Sequence, residues 1–217
     1  MKIFTTLILI LFSNLVFAQQ GKIEARIYSG IQHSFFVDYG RPVVKTNGFI
    51  HPINDFTFDL YQKNALGTMS GLGFFYSLDK KNKIGFDFTR SQNVGWYDFE
   101  FTSESTGFIM DIFDMRLKNN NNTISLIYTH EGAIKNLILG TGVGIILSNR
   151  QEITIFDEFA FIESRKWQEI TIPIILGYEI IKRDLVSFGI QTRTNITPIV
   201  GGIEDFMIYP YLTVKLK

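Results

Sequence analysis

Eight stretches of the chain alternate apolar residues with small or polar ones in steps of two, the spacing that separates the two faces of a β-strand. The first sets Ile23, Ala25, Ile27 and Ile31 against Glu24, Arg26, Tyr28, Gly30 and Gln32. The second sets Leu72, Phe74, Tyr76 and Leu78 against Gly71, Gly73, Phe75 and Ser77, and the third sets Ile84, Phe86 and Phe88 against Gly85, Asp87 and Thr89. Ile124, Leu126 and Tyr128 mark the fourth, and Leu137, Leu139, Val143, Ile145 and Leu147 stand opposite Gly140, Gly142 and Gly144 in the fifth. The sixth, 167–180, carries Ile170, Ile172, Ile174, Leu176 and Tyr178 opposite Glu169, Thr171, Gly177 and Glu179. Val186, Phe188 and Ile190 oppose Ser187, Gly189, Gln191 and Arg193 in the seventh. In the last, 206–216, Ile208, Leu212, Val214 and Leu216 oppose Tyr209, Tyr211, Thr213 and Lys215. The pattern predicts an all-β, up-and-down antiparallel barrel of eight strands. Phe56, Phe58 and Leu60 also alternate, and they leave ten strands open as a count.

The contents of the two faces indicate which one points outward. One is broad, apolar and almost free of charge, as a lipid-facing band must be. The other mixes glycine with Glu24, Arg26, Asp87, Glu169, Glu179 and Arg193, the mixture expected of an enclosed lumen. Glycines on some strands make room there for Arg, Glu and Tyr side chains from others, and charges so enclosed need partners. The links agree with a transmembrane barrel whose N-terminus is periplasmic. Those after strands two, four and six are short, and those after one, three and five are long. Tyr76, Tyr128 and Tyr178 fall near the periplasmic ends on the lipid face, and Trp96 and Trp167 near the opposite rim. A soluble lipocalin-like carrier of apolar ligands, also eight-stranded, would require the opposite orientation.

Residues 1–18 form a separate region. Met1 and Lys2 supply a positive start, an apolar run follows, and Val16, Phe17 and Ala18 end in a small-residue cleavage site. That is the form of a cleaved secretory signal peptide, which leaves 19–217 as one barrel domain, exported and placed in the outer membrane. The 217-residue chain has no cysteine, so packing and backbone pairing alone must stabilise it. With 21 basic and 21 acidic residues there is no basic excess to suggest nucleic acid.

Chemistry is sparse. Gly140-x-Gly142-x-Gly144 lies inside an unbroken period of two, whereas a phosphate-binding loop needs a strand, a turn and a helix N-terminus. His33 and Ser34 are adjacent in a strand and therefore point to opposite faces. This counts against an outer-membrane lipid-modifying hydrolase or acyltransferase, the enzymatic alternative. His51 and His130 lie far from His33 along the barrel. No catalytic, cofactor or metal residue is assigned. An eight-stranded barrel is just wide enough to be filled by its own side chains, so a role is expected outside it, in the segments 92–122 and 148–166. Their aromatic residues, Trp96, Phe99, Phe101, Phe108, Phe113, Phe156, Phe159 and Phe161, are the candidate interaction residues. Both segments alternate well enough to extend the barrel strands as hairpins with open backbone edges, on which a partner strand could add. The expected partners are outer-membrane lipid, lipopolysaccharide and a protein bound at the external loops. The expected state is a monomer.

The phrases Ile172-Pro173-Ile174-Ile175-Leu176-Gly177-Tyr178 and Leu139-Gly140-Thr141-Gly142-Val143-Gly144 carry a resemblance. The chain resembles the small eight-stranded outer-membrane barrels of Gram-negative bacteria, of the OmpA or OmpX kind, and within them the PorT-like outer membrane protein β-barrel domain. The resemblance implies a porin-like fold in the cell envelope and a structural or surface-binding, non-enzymatic role.

Overall fold

A computed structural model describes residues 23–35, 43–46, 49–50, 56–62, 66–103, 109–156, 159–199 and 202–216; side chains are described for 23–35, 66–95, 116–151, 161–199 and 202–216. The expected signal peptide, Phe108 and His51 lie outside the described residues.

Eleven strands follow in order: β1 (Ile23–Ser34), β2 (Val43–Thr46), β3 (Phe49–Ile50), β4 (Phe56–Gln62), β5 (Leu66–Ser77), β6 (Asn82–Ser103), β7 (Ile109–Glu131), β8 (Leu137–Phe156), β9 (Phe159–Lys182), β10 (Val186–Thr197) and β11 (Gly202–Leu216). Eight of them close a ring. Each of β5 through β11 pairs antiparallel with its sequence neighbour, and β1 pairs with both β5 and β11. The barrel therefore has eight strands. The apolar alternation at Phe56, Phe58 and Leu60 belongs to β4, an accessory strand outside the ring.

The register fixes the shape. From His33, paired residues lead through Phe206, Thr194, Ile174, Thr141, Tyr128, Ile84 and Tyr76 back to β1 at Ile23, ten positions from the start. With a rise of about 3.3 Å per residue and a strand spacing of about 4.8 Å, that stagger tilts the strands by roughly 40°. A closed sheet at this tilt has a narrow interior that side chains can fill.

The two faces separate as the alternation predicts. Ile174 is 49% exposed and its neighbour Ile175 only 3%. The outer surface carries Ile27, Leu72, Phe74, Phe86, Ile124, Leu126, Leu139, Val143, Ile145, Ile172, Leu176, Ile190, Ile208 and Leu212, all exposed. Glu24, Arg26, Asp87, Glu179, Arg193 and Thr213 are buried inside. On β9 the apolar outer positions run from Ile170 to Ile180 and on β11 from Phe206 to Leu216, the length a tilted strand needs to cross hydrocarbon. A lipocalin-like carrier would hold these residues inside, so its arrangement is inverted here.

The links at one end are the short turns 78–81, 132–136 and 183–185. Asn136, the one described non-glycine residue with positive φ (67°), bends the middle turn, a conformation that asparagine tolerates better than most residues. At the opposite end the barrel strands extend as hairpins, as their alternation predicts. The segments 92–122 and 148–166 are largely continuations of β6, β7, β8 and β9, which reach 22, 23, 20 and 24 residues. The last link at that end, between β10 and β11, is also short. One half of the barrel is thus a tall wall, and the other half, built of 12- to 15-residue strands, is low.

Candidate functional site: the filled interior and the tall wall

Inside the ring the polar residues form three connected groups, stacked from the short-turn end upward. At the base, the Lys83 ammonium donates to both Glu24 oxygens at 2.9 and 2.7 Å, and Lys182 bridges Glu131 at 2.6 Å and Glu179 at 3.2 Å. Directly above, the Arg26 guanidinium lies between the rings of Phe75 and Tyr211, 4.5 Å from each centroid. It donates to Thr213 at 3.2 Å and Gln191 at 3.1 Å. Two aromatic faces and two neutral acceptors hold this cation.

The middle group centres on Arg193. It pairs with Asp87 at 2.5 Å and donates to Thr89, Ser125 and Asn195 at 3.1, 2.9 and 3.0 Å. The Tyr28 hydroxyl lies 2.8 and 2.7 Å from the Asp87 oxygens, and the Tyr28 ring stacks on Tyr209 with centroids 4.7 Å apart. Glycine makes these placements sterically feasible. A Cβ on Gly71 would lie 2.3 Å from the Tyr28 ring, and one on Gly189 would lie 2.6 Å from the Tyr211 hydroxyl. Large lumen side chains therefore lean over glycines on the facing strand, as the alternation of glycine with Arg, Glu and Tyr anticipates.

Near the tall end, Arg150 bonds Glu204 at 2.7 Å with Glu169 3.8 Å away, and Asn195 donates to Asp205 at 2.8 Å. Pairing carries Gln32 through Gly67, Asn93 and Asn119 to Arg150 in one cross-strand row. Side-chain amide atoms of Gln32, Asn93 and Asn119 in that row are buried with no partner among the described residues. The sequence showed that Asp87 and Arg193 share a lumen. It did not show that they meet, because the meeting depends on register and on the glycines between them.

The described candidate aromatics are distributed over four strands. Trp96, Phe99 and Phe101 lie on β6 and Phe113 on β7, while Phe156 lies on β8 and Phe159 and Phe161 on β9. Register places Phe58 opposite Phe101 and Leu60 opposite Phe99, so β4 joins the first group, and Phe113 falls at an irregularity in β6–β7 pairing. Phe156 pairs with Phe159 at the tip of the second hairpin, and Phe161, opposite Thr154, is half exposed. Two of the edges expected to be open are covered. β4 runs antiparallel along the arm of β6, and β2 runs parallel along the arm of β8, pairing Val43 with Thr154 and Lys45 with Phe156. Backbone N–H and C=O groups on arms that outgrow the ring need partners, and the first long link supplies them from within the chain.

The histidines stay apart. His33 packs edge-on against Phe35 on the outer side, whereas Ser34 is fully buried, so they form no dyad. The Nδ1 atom of His130 is 2.8 Å from Asn82 at the short-turn end. Among the described residues no cluster of three or more His, Cys, Asp or Glu side chains is arranged to hold a metal.

A closed eight-stranded ring, apolar outside and packed with polar and charged side chains inside, defines a class by its architecture: the small up-and-down antiparallel β-barrel. No family model matches the chain, and no curated protein matches it. Among solved structures it is similar to Neisserial surface protein A, at 11% identity over 89% of this chain and 96% of that one, with a TM-score of 0.45. It is likewise similar to the outer membrane protein OprG from Pseudomonas aeruginosa, at 13% identity over 91% and 95% of the two chains, TM-score 0.45. The outer membrane protease OmpT from Escherichia coli is a further match, at 9% identity over 90% and 97%, TM-score 0.42.

Proposed function

We propose that this protein is an integral outer-membrane barrel, exported by its N-terminal signal and oriented with the short turns in the periplasm. Its role is non-enzymatic: it presents the tall β6–β9 wall at the cell surface to envelope components or to a protein partner. The single observation that carries the reading is the segregation of a charge-free apolar belt on the outer face from the buried charges inside. An exterior this apolar would aggregate in water, and in hydrocarbon it is matched to its solvent. The interior supports a structural rather than a conducting role. Arg26 and Arg193 span the middle of the lumen among Phe75, Tyr28, Tyr209 and Tyr211, which leaves the path for solutes filled with packed side chains.

The test has two parts. The protein should float with lipid vesicles, resist carbonate extraction and show heat-modifiable gel mobility, while planar bilayers containing it should stay at baseline conductance. Recovery in the soluble fraction, or stable channels of nanosiemens conductance, would refute the reading. Phospholipid or lipopolysaccharide hydrolysis that is lost in His33→Ala would refute the non-enzymatic part alone.

A further inference from the structure

The outer face of the wall changes character abruptly above the apolar belt. On β6 the outward positions run Phe86, Phe88, then Arg90 and Gln92, and on β7, read upward, Leu126, Ile124, then Asn122, Asn120 and Lys118. On β8 Ile145 and Leu147 give way to Asn149, and on β9 Ile170 gives way to Gln168 and Lys166. Register makes this one surface. Arg90 is paired with Asn122, Gln92 with Asn120, Asn120 with Asn149, and Asn149 with Lys166; Lys118 sits opposite Val94, one row higher. The Lys118 backbone N–H donates to the Gln151 side chain at 2.9 Å, which ties the β7 and β8 arms together at that level. Arg90, Lys118 and Lys166 are all exposed, with amides between them, and no carboxylate stands on this outer face among the described side chains of the four strands. The low half of the barrel lacks the feature. On β5 the outward positions paired with Arg90 and Gln92 are Ser70 and Thr68, and the upper outward positions of β10 are Thr192, Thr194 and Ile196.

We infer that this one-sided basic collar binds the phosphorylated headgroup of an anionic outer-leaflet glycolipid, whose acyl chains lie against Phe88, Ile124, Leu147 and Ile170 directly below. The inference rests on the membrane reading and deepens it. Two features select a lipid over a free anion. Apolar and cationic surfaces are continuous within one pair of strand residues, and a molecule that spans both must carry chains and charge together. Strands about 4.8 Å apart put Lys118 and Lys166 within roughly 12 Å at the backbone, so their extended ammonium arms can converge on one phosphorylated sugar while the intervening amides meet its hydroxyls. Charges at a membrane surface attract anionic headgroups appreciably, about fivefold in affinity for each Lys or Arg.

The experiment uses the full barrel in phosphatidylcholine nanodiscs doped with diphosphorylated lipid A, with retained lipid A counted by native mass spectrometry. The triple variant Arg90→Gln, Lys118→Gln, Lys166→Gln should lose about a hundredfold in apparent affinity. A variant with the same charge loss at the other end, Lys80→Gln, Lys81→Gln, Lys135→Gln, should bind as the parent does. Dephosphorylated lipid A should bind the parent as weakly as lipid A binds the collar variant. Equal retention by parent and collar variant, or equal binding of the two lipids, overturns the inference. Vesicle flotation of each variant separates the two levels of the argument. A parent that does not float sinks the membrane reading itself, whereas variants that float normally and keep their lipid A sink only the collar.

Discussion

Asp87 is the lumen residue whose removal should cost most. Its carboxylate accepts from Arg193, from Tyr28 at 2.8 and 2.7 Å and from Thr89 at 3.1 Å, and Arg193 is 1% exposed. Asp87→Ala leaves that guanidinium with three neutral acceptors and no hydrogen-bonded counter-ion in a closed interior, and it leaves the Tyr28 hydroxyl with Thr89 Oγ1 at 2.8 Å and the Phe88 carbonyl at 3.3 Å. Breaking a buried pair by removing one partner costs roughly 3–5 kcal/mol, whereas replacing both partners by apolar groups of similar volume is often close to neutral. The double variant Asp87→Leu, Arg193→Met should therefore recover most of the loss. Urea unfolding in lipid vesicles, followed by fluorescence of the two tryptophans and by gel mobility, measures both. A single variant within about 1 kcal/mol of the parent would mean that the interior is wet enough to solvate Arg193. A double variant as unstable as the single would mean that the charge pair itself stabilises the barrel. Either outcome refutes the reasoning.

Gly71→Ala should destabilise by about 1–3 kcal/mol, because its methyl would displace the Tyr28 ring from Asp87; an unfolding midpoint equal to the parent's would show that the ring moves freely. Ile174→Arg, on the lipid face near mid-belt, should cost about 2–4 kcal/mol in vesicles, and an unchanged unfolding curve would argue against hydrocarbon contact. In the 78–81 turn the Asn82 side chain and the Lys81 and Asn82 backbone N–H groups donate to Asp79 and hold its carboxyl below the usual carboxylate range. A depressed folded-state pKa contributes stability at pH values above the ordinary carboxylate pKa, and that stability is lost as pH falls through the folded value. The gap in midpoint between parent and Asp79→Ala should accordingly be present at neutral pH and close in acid, and a gap independent of pH would contradict the assignment. Asn119→Leu should be neutral or stabilising, since a buried amide without partners carries a desolvation cost that leucine lacks; a loss above about 2 kcal/mol would show that the amide is satisfied in the membrane-embedded protein.

The barrel was legible in the sequence because its two faces are chemically opposite along every strand. A single alternation such as Ile174-Ile175-Leu176-Gly177 is ambiguous by itself. Eight of them, with glycine and charge on one parity throughout the apolar belt, are not. The pairing partners were illegible, because Asp87 and Arg193 lie 106 positions apart in the chain and meet through a stagger of ten residues that no strand encodes alone. The tall wall was half legible. Alternation in 92–122 announced hairpins, yet the occupants of their edges, β4 and β2, come from the first long link, where short alternating runs give no hint of what they will pair with. The basic collar is not legible in the sequence, because Arg90, Lys118 and Lys166 look like ordinary loop charges until the register shows that they continue the lipid-facing parity of Phe88, Ile124 and Ile170.

The orientation of the two faces is tested most directly by one adjacent pair. An environment-sensitive fluorophore attached through an introduced cysteine at Ile174 or at Ile175, in vesicles whose acyl chains carry a nitroxide quencher, reports which residue meets lipid. Strong quenching at 174 and little at 175 is the expected result. Quenching at 175 with a water-exposed probe at 174, or equal and negligible quenching at both, would contradict a barrel that turns its apolar face to the membrane.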